Sequence, residues 1–501
     1  MALPANGSQW PLPQAKTARD SYREARAWYS GDEKSLRSLY GGDRDGSSVQ
    51  NGIRGWLSRM FWGRPESRSQ VQQKLHVPVA ADLAAVSADL LVGEAPSCKV
   101  IGDNAEAVQG RLDYLLTVNR FGSRAQEVLE EAAAVGDGWA RVTWSEKAGQ
   151  HALLTFVPAE RVIPTFEWGA LTEALIETVH RGPRDTRFVH YERHIPGRVE
   201  HALYQVFDDE LHIVPLDTIP ATAGLSVDEF GGVETGFPGM AVVHIPNVKP
   251  NRKGGDDPVA KHLGRADTAG LETLMDALDE AYTSLMRDLR LGKGRVMVPQ
   301  SLLESNGPGK GAIFDAEREV FVGVNSPDAG DDLSKSIQST QFAIRVDEHL
   351  ALIDDLLKQI LRGAGYGPQT FGMHDGGTGT TATETHSRDR RTRGTREKKS
   401  RYVQEAFSEA LTALLAIDAA KFPDKGSRAL PVVVEVAPEA TPTMAELGQT
   451  LDLITRAQAA SIETRVRLLH PDWDDEAVAN EVAAIKDEQG IGVTDVGLLP
   501  E

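Results

Sequence analysis

The sequence predicts an α+β protein in which helical blocks bracket a β-rich block, not a doubly wound sheet. Three observations predict it. Residues 77–135 place apolar side chains at helical spacing. Residues 139–245 change to short runs with a period near two. Residues 271–361 return to helical spacing in two long segments separated by a β-like insertion of about 45 residues.

Composition bounds the reading. At 501 residues the chain exceeds one simple core, and roughly two to four structural units are expected. Apolar content of 41% and charged content of 25% are those of a globular protein. No apolar run approaches the ~20 residues that cross a bilayer, and "MALPANGSQWPLPQAK" lacks a signal pattern. No membrane partner is expected. Cys98 is the single cysteine, which excludes an intrachain disulfide and a Cys-rich zinc site and suits a reducing cytoplasm or a particle assembled there. The net charge of −19 argues against a protein that coats DNA, but not against one that handles DNA without gripping it.

Taken in order, residues 17–40 read as an amphipathic helix broken at Ser30-Gly31-Asp32. Residues 41–70 read as Gly-, Ser- and Arg-rich loop holding Trp56, Phe61 and Trp62. Residues 77–92 form an apolar helix with Pro78 in its first turn and Gly93 as its stop. Helices follow at 105–117 and 123–135. "WARVTW", "HALLTFVPA", "ALIETVH", "RFVHYERHI", "HALYQVF" and "MAVVHIP" are strand candidates. The turn-rich "PNVKPNRKGGDDP" at 246–258 marks a boundary.

Two long helices come next. The first carries Leu271, Leu274, Met275, Leu278, Tyr282, Leu285 and Leu289 on one face, with Glu272, Asp276, Asp279 and Glu280 largely off it. The second begins near Ser336, is striped by Phe342, Val346, Leu350, Ile353, Leu357 and Ile360, and is capped by Gly363. It carries Asp347, Glu348, Asp354 and Asp355. The acidic residues are either a solvated face or a wall that keeps phosphate from sticking. "LPVVVEVAP" reads as a strand. Residues 442–489 read as short helices, with Asp472 as an N-cap and Asp475 and Glu476 in the opening turn. From 435 to 501 there are 14 acidic and 4 basic side chains.

Catalytic motifs are missing from the pattern. "GPGKGA" around Lys310 lacks the hydroxyl that a phosphate-binding loop places after its lysine. No H-E-x-x-H or G-x-S-x-G occurs. His190 and His194 are four apart, which suits a metal on a helix, but their surroundings read as strand. No enzyme, cofactor or metal site is expected.

The remaining signal lies in residues 363–422. "GAGYGPQTFGMHDGGTGTTAT" opens it as a loop with seven glycines. Its tip, His374, Asp375, Gly376, Gly377, Thr378, Gly379, Thr380 and Thr381, has little apolar area to bury. It is a plain connection or a mobile loop that touches a moving polymer. Then Arg388, Arg390, Arg391, Arg393, Arg396, Lys398, Lys399 and Arg401 give residues 388–401 a net charge of +6, leaving −25 for the rest. At 100° per residue these cations surround a helix. Three readings stay open for them: pairing with acidic surfaces of this chain or its copies, nucleic-acid contact, or a solvated surface.

"KLHVPVAADLAAVSADLLVGEAP", "GRADTAGLETLMDALDEAYTSLMRDLRLGKGRVMVP", "FDAEREVFVGV" and "GYGPQTFGMHDGGTGTTATETHSRDRRTRGTREKKSRY" closely resemble the portal proteins of tailed bacteriophages. The likeness is to portals of long-tailed phages of Gram-positive hosts, runs over roughly residues 20–490, and suggests by composition an actinobacterial host. It implies a homo-oligomeric ring of about twelve copies at one capsid vertex. That ring conducts double-stranded DNA in packaging and ejection, in a virion assembled in the host cytoplasm. It implies a wing at 1–258 and 383–440, a stem at 259–292 and 336–364, a clip at 293–335, a tunnel loop at 365–382, a crown at 441–490 and a mobile tail at 491–501.

By that likeness the loop tip faces DNA, the eight cations bind neighbouring subunits, and Asp276, Asp279, Glu280, Asp347, Glu348, Asp354 and Asp355 line the channel. Glu317, Arg318 and Glu319 of the clip would dock the terminase large subunit and then the head–tail adaptor, while major capsid and scaffold proteins surround the ring. The alternatives are a DNA-processing nuclease or recombinase, and a capsid or head-morphogenesis protein without a channel.

Overall fold

The computed structural model describes residues 2–41, 74–145, 147–291, 295–297, 338–340, 345–373, 382–437, 444–457, 459–470, 473 and 475–488. They divide into two compact units, 1–437 and 438–501.

The first unit begins with β1 (Ser8–Gln9) and α1 (Lys16–Ser30). Gly31, at φ 63°, ends α1, and α2 (Glu33–Gly41) restarts the helix. This is the expected break: a left-handed residue cannot continue a helix, and glycine adopts that conformation without cost from a side chain. Then come α3 (Val79–Val92), β2 (Ser97–Val100), α4 (Ala105–Val118) and α5 (Phe121–Val135).

The β-rich block supplies β3 (Asp137–Trp144), β4 (Ala152–Val157), β5 (Val162–Glu167), β6 (Ala170–Arg181), β7 (Arg187–Ile195), β8 (Arg198–Phe207), β9 (Glu210–Val214), β10 (Gly232–Glu234) and β11 (Val242–Pro246). They form two antiparallel sheets among the described residues. One runs β1-β9-β8-β7-β6-β5 with β10 on β8, and the other runs β11-β3-β4.

An edge of the larger sheet comes from near the N-terminus. Ser8 and Gln9 pair with Leu211 and Glu210, and the Tyr204 hydroxyl donates to the Pro4 carbonyl at 2.6 Å. Leu12 and Ala15 complete an apolar layer with Ile163, Val189, Tyr191 and Leu211.

Two long helices, α6 (Glu272–Leu291) and α7 (Val346–Ala364), form a pair where the stem is expected. His349 bonds Asp288 at 3.0 Å, while Gly363 lies against Leu271, so the two run antiparallel. A Cβ on Gly363 would sit 2.4 Å from the Leu271 side chain. Gly363 therefore serves close helix approach, and the expected cap belongs instead to Gly365 at φ 97°. The second stem helix also starts ten residues later than Ser336. Between them Gln338–Thr340 forms β13, paired antiparallel with β12 (Arg295–Met297). Strand pairing across the base of the insertion competes with helix there, and Ile337 and Thr340 favour it. Phe342 lies outside the described residues.

Next is α8 (Ala382–Lys421), one helix of 40 residues, followed by β14 (Val432–Glu435). The C-terminal half of α8 is the centre of the main core. Val403, Phe407, Leu411, Leu414 and Ile417 are buried with Leu112, Leu115 and Val243, and Phe407 meets Phe121 edge-on at 5.2 Å.

β14 pairs only with β2, and side chains close the outer edges. Thr412 and Ser408 hydroxyls accept from Val432 and Val434 amides, and Gln109 bridges Val100 and Cys98. Two strands thus stand alone without offering an open edge.

The second unit holds α9 (Met444–Arg456), α10 (Ile462–Leu469) and α11 (Asp475–Glu488). Ser461 caps α10 by accepting from the Thr464 amide. The helix α11 opens at Asp475, and Asp472 lies outside the described residues. Trp56, Phe61, Trp62 and Lys310 fall outside the described residues.

Candidate functional site

The helix pair joins the rest of the first unit through a buried anchor, the ends of the segment after α7 and the basic helix. In the helix pair, Met275, Leu278, Leu285, Ile353, Leu356 and Ile360 are buried. Asp347, Glu348, Asp354 and Asp355 are exposed. Asp354 pairs with Lys358 at 2.9 Å and Asp355 accepts from Gln359. Asp276 and Glu280 share Lys74, at 2.5 and 3.3 Å, which offsets their charge.

Asp279 departs from the expectation of a channel-lining acid. It is 1% exposed. It accepts from the Val77 amide at 2.8 Å and faces the His76 ring at 3.0 Å. The segment entering α3 crosses α6 here, a long-range contact that a helical wheel does not contain.

The anchor is Lys399. Its ammonium lies 2.7 and 2.6 Å from the two Asp267 oxygens, 2.6 Å from Ser87 Oγ and 2.9 Å from the Tyr366 hydroxyl. Tyr366 donates to Asp267 at 2.9 Å, and Asn247 donates to the same carboxylate at 2.8 Å. Five segments meet: α8, α3, the end of β11, the turn leading into α6 and the residues just after α7.

Burial pushes the Lys399 ammonium below its ordinary value, against the pull of Asp267. Burial and Asp267 push the Tyr366 phenol well up, so it stays a donor. This buried charge joins the turn before α6 to the residues just after α7. Lys399 was expected to face a neighbouring subunit. It is 2% exposed and paired inside its own chain. The signal was present: Thr392, Lys399, Val403, Ala406 and Ala410 continue one helical stripe.

The other cations divide. Arg396 donates to the carbonyls of Leu90, at 2.6 Å, and Ala437. It too ties α8 to its own chain. Arg393 is half-buried, whereas Arg390, Arg391, Lys398 and Arg401 are exposed. The side chain of Arg388 lies outside the described residues.

The loop between Met373 and α8 is held at its base. Thr392 Oγ1 accepts from the Gly367 amide at 2.9 Å and meets Thr370 Oγ1 at 2.9 Å; Thr395 donates to the Gly365 carbonyl at 2.6 Å. His374, Asp375, Gly376, Gly377, Thr378, Gly379, Thr380 and Thr381 lie outside the described residues, as do Glu317, Arg318 and Glu319.

Two further buried carboxylates knit the wing. Asp137 accepts from Tyr22 at 2.8 Å and the Gly264 amide at 2.7 Å, and lies 2.5 Å from His244. Asp418 receives Arg111 at 2.9 and 3.0 Å, the Ala152 amide at 2.8 Å and the Ser427 hydroxyl.

His190 and His194 fall on strand β7, as expected from their surroundings, and point to one face with Glu192 between them. His190 meets His201 of β8 at 3.2 Å. Burial holds His190 and His194 below the ordinary range and His201 down to about 4. The unfolded chain therefore binds more protons below pH ~6.5. Stability is full above that pH and is lost as pH falls towards about 4. The larger sheet should unfold with a midpoint that drops between pH 6.5 and 4, and H190Q/H201Q should flatten that dependence in urea titrations.

A buried charged anchor, a helix pair and antiparallel sheets define a structural scaffold. More specifically, the chain matches the family described as "Phage portal protein, SPP1 Gp6-like" over residues 12–490, and it belongs to that family. It is a portal protein, a non-enzymatic structural component of the phage virion at the head–tail connection.

No curated protein matches the chain. Among solved structures, a chain of the "Virion of native gene transfer agent (GTA) particle" is 13% identical with a TM-score of 0.36, covering 83% of this chain and 99% of that one. A chain of the "Neck of native GTA particle computed with C12 symmetry" is 13% identical with a TM-score of 0.37, covering 83% and 98%.

Proposed function

We propose that copies of this chain close into a ring, of about twelve subunits, that forms the conduit for double-stranded DNA into and out of the capsid. The observation that carries this, beyond family membership, is the far half of the stem. Met286, Leu289, Val346, Leu350 and Leu352 are 36–50% exposed in the single chain. Apolar side chains on both helices of a pair favour burial against another helix pair, and neighbouring stems supply it.

In this reading residues 1–258 and 383–440 form the wing, 259–292 and 336–364 the stem, 293–335 the clip, 365–382 the tunnel loop, 441–490 the crown and 491–501 a mobile tail. Of the seven expected channel-lining acids, Asp347, Glu348 and Asp355 are the better ones, because Lys74 offsets Asp276 and Glu280, Lys358 offsets Asp354 and Asp279 is buried. The loop tip His374–Thr381 touches the moving duplex. The clip docks the terminase large subunit and later the head–tail adaptor, within a shell of major capsid and scaffold proteins assembled in the cytoplasm. Composition supports a phage of a Gram-positive, actinobacterial host.

Mass and shape in solution test the ring. Closed particles with a central hole in negative-stain images are expected. A monomer under all conditions overturns the reading. Charge reversal at Arg390 and Arg391, both exposed, should weaken the ring about tenfold in protomer concentration while leaving the Lys399 anchor and the melting curve intact. Rings of unchanged stability would return these two residues to plain solvated surface.

A further inference from the structure

The turn-rich boundary at 246–258 lies beside a cationic patch that neither the anchor nor the stem uses. Lys249 and Arg265 are half-buried, and Arg252 and Lys261 are exposed. None of the four meets a carboxylate at salt-bridge distance among the described residues, whereas nearby Lys253 is held by Glu24 and Glu272 at 2.9 and 2.7 Å. Arg265 Nε is buried without a hydrogen-bond partner. Burial, then Lys261 and Lys249, hold the His262 imidazole below its ordinary range; burial and Arg252 do the same to Arg265. Asp267 and Asp137 offset Arg265 and Lys249 only in part, so these cations, crowded together in a protein of net charge −19, carry an incomplete counter-charge.

An aromatic side chain stands beside it. The β5–β6 hairpin tip approaches the patch, with Phe166 and His262 rings 5.1 Å apart and a Cβ on Gly169 only 3.8 Å from His262. Trp168 occupies that tip and is 106% exposed. It has φ 52° and Gly169 has φ 87°, a turn that normally selects Asn, Asp or Gly at its first position. The β8–β9 hairpin makes the same kind of turn with Asp208 and Asp209, at φ 50° and 59°. A tryptophan held in a left-handed conformation and wholly in water gains nothing for the fold, and such cost accumulates at binding sites.

We infer that Trp168 together with Lys249, Arg252, Lys261, His262 and Arg265 forms a docking surface for an acidic face of a second copy of this chain. The partner follows from charge: outside residues 388–401 the chain carries −25, so any neighbour in a ring presents anionic surface. A ring contact joins two different patches, and Trp and Arg are the residues that anchor such contacts. The inference rests on the ring reading and assigns one half of its subunit contact.

The test compares wild type, W168S and R252E/K261E by mass photometry over protomer concentration and salt. All three substituted positions are exposed, so their melting curves should match wild type. The expected result is an increase of about tenfold or more in the concentration at half-assembly for each variant, with wild-type assembly weakening at high salt. Variants that assemble like wild type overturn the docking surface while the ring stands. Unchanged assembly with lost affinity for a short fluorescent DNA duplex overturns it in favour of a nucleic-acid contact. A wild type that never assembles overturns the ring reading and this inference with it.

Discussion

K399M is expected to destabilise the wing by about 3–5 kcal/mol, because it leaves the Asp267 carboxylate buried without its cation. Asp267 would retain Tyr366 and Asn247 as donors, which is too little to solvate a carboxylate that is itself enclosed. Urea unfolding followed by tryptophan fluorescence measures the loss. A K399M/D267L pair removes both charges, so it should recover part of the stability, and the two effects should be strongly non-additive. The anchor also joins the turn into α6 to the residue after α7. Amide exchange in the stem should therefore rise in K399M before the core of α8 opens. A variant that unfolds like wild type would show that water reaches Lys399.

D418A should cost a similar amount, about 3–5 kcal/mol, by another route. Asp418 is 0% exposed and is the joint partner of Arg111, Ala152 and Ser427. Its removal leaves the Arg111 guanidinium with the Gln150 carbonyl, at 3.2 Å, and the Tyr114 ring face, and the Ala152 amide with no acceptor on that side. Exchange of the Ala152 amide is the specific readout, because a general loss of stability would not single it out. D418N keeps an acceptor and should retain more of the protection. Equal protection in D418A and wild type would argue that water replaces the carboxylate.

Much of the architecture was legible because it follows from local chemistry. The break at Gly31, the helix at 79–92, the two stem helices and the strands around His190 all express a period or a turn residue. Among the described residues six strands escaped: β1, β2, β5, β9, β10 and β13. β5 contains Pro164, which masks a strand signal, although an edge strand tolerates it. β9 has five residues and β10 three, so neither is long enough to show a period.

The sequence by itself determined the α+β class, the helix pair with its insertion, the portal resemblance and the odd charge of residues 388–401. Each is a property of neighbouring residues or of the whole pattern. Only the tertiary structure decided which charges are surface and which are anchor. Lys399 and Arg391 are alike in sequence, yet one is enclosed by Asp267, Ser87 and Tyr366 and the other faces water. Asp279 and Asp355 differ in the same way. The physical reason is distance along the chain. The partner of Lys399 lies 132 residues away and those of Asp279 about 202, and burial of a charge depends on what arrives from afar, not on the helix that carries it.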